Sequence, residues 1–141
     1  MPRKRTAQLA PVRRRILIVD NHPLVRRGLK TLINAEADLV VCAEAANPRD
    51  GLGAIAESRP DLVIADLSPE PGNGLELLKA IRSQHGGLRV LVLTTHDMPQ
   101  TVRRAFAAGA HGHVGKQEMT DTLLTAMRRV LRGETYGAPA G

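Results

Sequence analysis

Four short apolar runs in this chain each end in a polar residue. Ile16-Leu17-Ile18-Val19 ends in Asp20, Leu62-Val63-Ile64-Ala65 in Asp66, Val90-Leu91-Val92-Leu93 in Thr94, and His111-Gly112-His113-Val114-Gly115 in Lys116. Two carboxylates, a hydroxyl and an ammonium together suit one task, the handling of a phosphoryl group beside a hard cation. A carboxylate can accept a phosphoryl group when its charge is offset, and magnesium does this with a preference for oxygen ligands. A lysine adds a positive point charge, and a hydroxyl donates a hydrogen bond to the product. Taken singly, each residue has a blander reading, since an Asp after a strand commonly caps a turn or helix. The four gain meaning only if the fold gathers the strand ends.

The elements around them do so. Strand-like runs fall at about 16–20, 39–44, 61–66, 89–94 and 112–115, each followed by helical periodicity. Pro23 suits the first turn of a helix on which Val25, Leu29, Leu32 and Ile33 recur at helical spacing. Further helices are expected at about 48–58, 74–84, 99–108 and 119–132, the last stopping at Gly133. Five strands alternating with five helices predict an α/β fold with a doubly wound parallel sheet and right-handed crossovers. In such a sheet the ligand site lies at the carboxyl ends of the strands. The stretch Gly51-Leu52-Gly53-Ala54-Ile55-Ala56 fits a dinucleotide fingerprint but lies in the second helix, not after the first strand. It reads as a close-packing helix face.

Composition narrows the function further. Phe106 and Tyr136 are the sole aromatics, which argues against base stacking. The net charge of +6 is local: Arg3, Lys4, Arg5, Arg13, Arg14 and Arg15 precede the first apolar run, leaving 14 basic residues to balance the 14 acidic ones. Residues 1–15 are therefore expected to be a basic flexible arm, 16–133 the globule, and 134–141 a linker or tail. A lone Cys42 in an apolar run predicts a buried thiol in a reducing compartment. No run reaches membrane-spanning length and no signal peptide opens the chain, so a cytoplasmic location without membrane contact is expected.

Residues 16–133 resemble the receiver domain of bacterial two-component response regulators, most closely the NarL/FixJ (LuxR-type) class. The resemblance rests on Ile16 to Arg26 (Ile-Leu-Ile-Val-Asp-Asn-His-Pro-Leu-Val-Arg), on Pro60 to Leu67, on Val90 to Asp97, and on Ala108-Gly109-Ala110-His111-Gly112 followed by Lys116. It implies a flavodoxin-like (CheY-like) sheet with strand order 2-1-3-4-5. It implies that Asp66 accepts a phosphoryl group from a sensor histidine kinase. Asp20 and Asn21 fall on the family's acidic pair, which holds Mg2+ together with Asp66 and the backbone carbonyl at Ser68. Thr94 falls on the switch hydroxyl, Lys116 on the family's lysine, and His113 on the position of the switch aromatic. The output expected is homodimerisation and transcriptional regulation, with DNA contacted through a C-terminal helix-turn-helix beyond this chain. Such a protein is a switch rather than a turnover enzyme, catalysing only its own phosphorylation and dephosphorylation.

Three departures from the family pattern shape the expectations. Asn21 replaces a carboxylate, which predicts weaker Mg2+ binding. Pro69 and Glu70 stand where Met-Pro is usual, predicting an unusual loop after Asp66. His113 puts an imidazole in place of an aromatic ring, which opens the way to pH sensitivity. Together they admit an alternative, a pseudo-receiver whose protein interactions do not depend on phosphate. A third reading has the basic arm contacting DNA directly, with steep salt dependence.

Overall fold

A computed structural model describes residues 12–67, 71–95 and 99–139. Ser68, Pro69 and Glu70 lie outside these residues, as does the arm up to residue 11. The elements run β1 (Arg14–Val19), α1 (Pro23–Asn34), β2 (Leu39–Ala45), α2 (Pro48–Ser58), β3 (Leu62–Asp66), α3 (Pro71–Gln84), β4 (Arg89–Thr94), α4 (Pro99–Ala108), β5 (Gly112–Gly115) and α5 (Met119–Leu131). A single turn of 3-10 helix, Lys116–Glu118, joins β5 to α5. The strands pair in parallel in the order β2-β1-β3-β4-β5, as the resemblance implied.

The apolar runs are continuous because both faces of the central strands are covered. Successive side chains of a strand point to opposite faces. Leu17, Val19, Val63, Ala65, Val90 and Val92 face one way, against Ile55 of α2, Leu78 and Ile81 of α3 and Ala105 of α4. Ile16, Ile18, Leu62, Ile64, Leu91 and Leu93 face the other, against Leu29 and Ile33 of α1 and Leu123, Met127 and Val130 of α5. Gly51 lies on the packed face of α2: a Cβ there would stand 3.0 Å from Val19 Cγ2, so the glycine belongs to helix–sheet packing, as its position suggested. Cys42 differs from expectation. It sits on the edge strand β2 and is only partly buried, because one side of an edge strand lacks a covering neighbour.

β1 begins two residues before its apolar run, inside the stretch expected to be arm. The Arg14 backbone N–H donates to Asp38 O at 2.9 Å. The Arg15 N–H donates to Asp61 Oδ2 at 2.7 Å, and its guanidinium reaches Ser58 O, at the end of α2, at 2.8 Å. Pairing of the backbone extends a strand whatever the side chains are. At the other end, the tail returns to the sheet. The His113 N–H donates to Tyr136 O at 2.9 Å and the Tyr136 N–H to His111 O at 3.1 Å, which covers part of the β5 edge. Gly137 follows with φ of 72°, and a Cβ there would meet His113 O at 2.5 Å. Only glycine fits that approach.

His111 carries a pH prediction. Its Nδ1 accepts a hydrogen bond from the Val90 N–H at 3.0 Å, which requires that nitrogen to be unprotonated. Burial, assisted by the nearby Arg89 charge, holds its pKa below the ordinary 6.5. The unfolded chain then binds the proton more readily than the folded one, so this stability is complete above the ordinary value and is lost as pH falls from there through the lower value of the folded protein. We expect the melting temperature to fall by a few degrees between pH 7.5 and 5.5, and the fall to shrink in His111→Asn, as read by thermal denaturation at both pH values.

Candidate functional site

The register of the sheet brings four chemically suited side chains to its carboxyl edge. Val19 lies opposite Ala65, so Asp20 and Asp66 follow side by side on adjacent strands. Asp66 pairs with Leu93, which sets Thr94 one residue further along β4. Thr94 lies opposite Gly115, and Lys116 is the next residue. Asp20, Asp66, Thr94 and Lys116 therefore share one crevice, as expected of strand ends.

The electrostatics are concentrated. The Asp20 and Asp66 side chains are 1% and 2% exposed, and both face the Lys116 ammonium. Lys116 Nζ donates to Asp66 Oδ2 at 2.9 Å and stands 3.7 Å from Asp20 Oδ2. One cation thus serves two buried carboxylates. Asp20 Oδ2 accepts no hydrogen bond among the described residues. A buried carboxylate oxygen left in this condition is costly unless a further positive group approaches it.

His22 completes the crevice and was not singled out from the sequence. Its backbone N–H donates to Asp20 Oδ1 at 2.7 Å, and its Nδ1 lies 2.9 Å from the same oxygen and 3.5 Å from Asp66 Oδ2. Pro23 opens α1 immediately after it, and Arg26 Nη1 holds Asp20 O at 2.6 Å, so the turn between β1 and α1 is fixed from both sides. The available signal was spacing: a histidine two residues after a strand-end Asp, just before a helix-opening Pro, folds back over that carboxylate.

The metal set expected from the sequence was Asp20, Asn21, Asp66 and the carbonyl of Ser68. Asp20 and Asp66 come together, Asn21 is exposed at the rim, and Ser68 lies outside the described residues. Asp20, His22 and Asp66 each offer one ligand atom, all within 4.8 Å of one another. Two carboxylates, one with an orphaned buried oxygen, fit a divalent cation.

The hydroxyl of Thr94 is also held. The residue is 3% exposed, and Thr94 Oγ1 shares a hydrogen bond of 2.8 Å with His113 Nε2. The imidazole at the expected aromatic position is therefore turned toward the site and bonded to the residue expected to act as the switch.

Comparison with known proteins agrees with this geometry. The family model of the response regulator receiver domain matches residues 16–128. The nitrate/nitrite response regulator protein homolog of Haemophilus influenzae is 33% identical over 120 residues, covering 85% of this chain and 58% of that protein. The nitrate/nitrite response regulator NarL of Escherichia coli K12 is 34% identical over 119 residues, 84% of this chain and 55% of that protein. Among solved structures, a two-component response regulator of the LuxR family from an Aurantimonas species superposes with a TM-score of 0.83 at 36% identity, covering 90% of this chain and 91% of that one. The chain spans just over half the length of the curated relatives it matches.

Proposed function

The chain belongs to the response-regulator receiver family, in its NarL/LuxR class, and on that premise we propose that Asp66 takes up a phosphoryl group and that Thr94 and His113 relay the event. The observation that carries this reading is the Lys116 ammonium set between two buried carboxylates. In the step proposed, an Asp66 carboxylate oxygen forms a bond to phosphorus while the bond from phosphorus to the donor breaks. Lys116 offsets the charge delivered to the crevice, and burial strengthens its effect. A divalent cation held by Asp20 and Asp66, expected to be Mg2+, would neutralise phosphoryl oxygens there. In the switch proposed, Thr94 turns to donate its hydroxyl proton to a phosphoryl oxygen, and its hydrogen bond with His113 Nε2 rearranges as it does so. The change reaches the imidazole on β5, whose main chain pairs with the tail. The switch is thus a hydrogen-bonded pair rearranged by phosphate.

A sensor histidine kinase is the donor proposed. Dimerisation is proposed as the output, as is DNA contact through the part of the relatives that this chain does not span. Nothing in the geometry favours the phosphate-independent alternative. Among the described residues no helix is long and apolar enough to cross a membrane. The signalling unit proposed is residues 16–133, with Arg14 and Arg15 joining it as the start of β1.

The reading predicts that a phosphoryl mimic, beryllium trifluoride with Mg2+, shifts the amide resonances of Asp66, Thr94 and His113 in the native protein and leaves them unmoved in Asp66→Ala. Shifts of equal size in both proteins would contradict it. For Asn21, one added carboxylate is worth about 1.4 kcal/mol toward a divalent cation, or about tenfold in affinity. Asn21→Asp is therefore expected to tighten Mg2+ binding by that factor in a calorimetric titration.

A further inference from the structure

We infer that residues 134–137 form a strap latched onto the open edge of β5, and that phosphoryl uptake at Asp66 releases it through His113. The inference rests on the relay proposed for Thr94 and His113 and concerns what that relay moves.

The strap is built from identifiable parts. α5 ends at Leu131, and Gly133, with φ of 93°, turns the chain back toward the sheet. Glu134 is the anchor. Its N–H donates to Arg129 O at 3.0 Å, and its carbonyl accepts from Arg89 Nη2 at 3.1 Å. Tyr136 is the latch. It lies beside Gly112 in parallel register, its carbonyl accepting from the His113 N–H at 2.9 Å and its own N–H donating to His111 O at 3.1 Å. The Tyr136 ring packs against the side of the core formed by α1 and α5, with the Arg129 guanidinium 5.9 Å from its centroid.

His113 is therefore held from two directions. In the crevice its Nε2 shares a hydrogen bond of 2.8 Å with Thr94 Oγ1. On the sheet edge its main chain is bonded to Tyr136 and overlaid by Gly137. The fit at Gly137 leaves no slack: with φ of 72°, a Cβ there would lie 2.5 Å from His113 O and 3.6 Å from His113 Cβ. A movement of the imidazole carries its Cβ along, and the strap meets that movement directly. Two main-chain hydrogen bonds at a sheet edge open far more easily than the buried strands, so a small bias suffices to release them. Coupling is reciprocal: if phosphate loosens the strap, loosening the strap favours phosphate by the same factor.

The test is amide hydrogen exchange of the full chain, read by NMR with and without beryllium trifluoride plus Mg2+. We expect the mimic to speed exchange at Tyr136 and His113 about tenfold, with exchange at Ile18 and Ile64 no faster. Gly137→Val, which forces the strap off β5, should show the fast exchange without the mimic and bind the mimic about fivefold more tightly. Ala138→Val places the same side chain at the next, exposed residue and should do neither. Unchanged or slower exchange at Tyr136 while the Asp66 and Thr94 resonances respond would overturn the inference and leave phosphoryl uptake standing. Native exchange or native affinity for the mimic in Gly137→Val would overturn it equally. Absence of any response at Asp66 and Thr94 to saturating mimic would overturn the underlying relay as well.

Discussion

Lys116→Met is expected to destabilise the protein by about 3 kcal/mol, because it removes the positive member of a buried ion pair. For a domain of this size that is a drop in melting temperature of roughly 10 °C. The reasoning is geometric. Asp66 Oδ2 takes its hydrogen bond from Lys116 at 2.9 Å, and Asp20 Oδ2 has the same ammonium 3.7 Å away. Without it, two carboxylates at 1% and 2% exposure stand together with one positive charge fewer, beside the half-exposed His22. Methionine keeps the length and apolar stem of the lysine, so lost packing contributes little. A double-mutant cycle isolates the charge effect. Asp20→Asn retains an oxygen to accept from the His22 N–H and removes one of the two negative charges, so alone it should match or exceed the native stability. Added to Lys116→Met it should recover more than half of the loss. Thermal and urea denaturation read both outcomes. An unchanged melting temperature in Lys116→Met would show that the charges are not coupled as their distances imply.

This arrangement concentrates repulsion where a phosphoryl group is proposed to bind. A crevice built for stability alone would not set two buried carboxylates around one lysine. Sites that depart from the local rules of stability are where function is expected.

Much of this was legible in the sequence, for identifiable reasons. Val63 and Ile64, or Leu91 and Val92, are consecutive apolar residues, and a strand covered on both faces produces that run. Strand ends in a parallel sheet converge, so Asp20, Asp66, Thr94 and Lys116 could be grouped without knowledge of any distance. Backbone pairing was less legible. Arg14 and Arg15 look like part of a basic arm, yet carbonyl and carboxylate acceptors at Ser58 and Asp61 draw them into β1. Glu134 to Gly137 looks like a linker, yet Tyr136 pairs with β5 through main-chain atoms that carry no side-chain signature. Cys42 looked buried because its neighbours are apolar, and a run of residues does not reveal that its strand lies at the sheet edge. The Asp20, Asn21, His22 stretch was legible only in part. Family position pointed to Asn21, whereas the turn into α1 directs His22 over the carboxylates and leaves Asn21 exposed.

The largest effect expected is on Asp66 itself. In the step proposed, every other residue of the crevice tunes charge or geometry, whereas the Asp66 carboxylate oxygen forms the new bond. Among the described residues Asp20 is the other carboxylate of the crevice, and its Oδ1 is occupied by the His22 N–H and imidazole. Substitution of Asp66 should therefore abolish phosphoryl uptake rather than slow it. The direct measurement is intact mass after incubation of the purified protein with a divalent cation and a small acyl phosphate, beside an Asp66→Ala control. A single phosphoryl adduct on the native protein and none on the control is the result predicted. No adduct on the native protein at saturating Mg2+ or Mn2+, or an equal adduct on Asp66→Ala, would contradict the assignment.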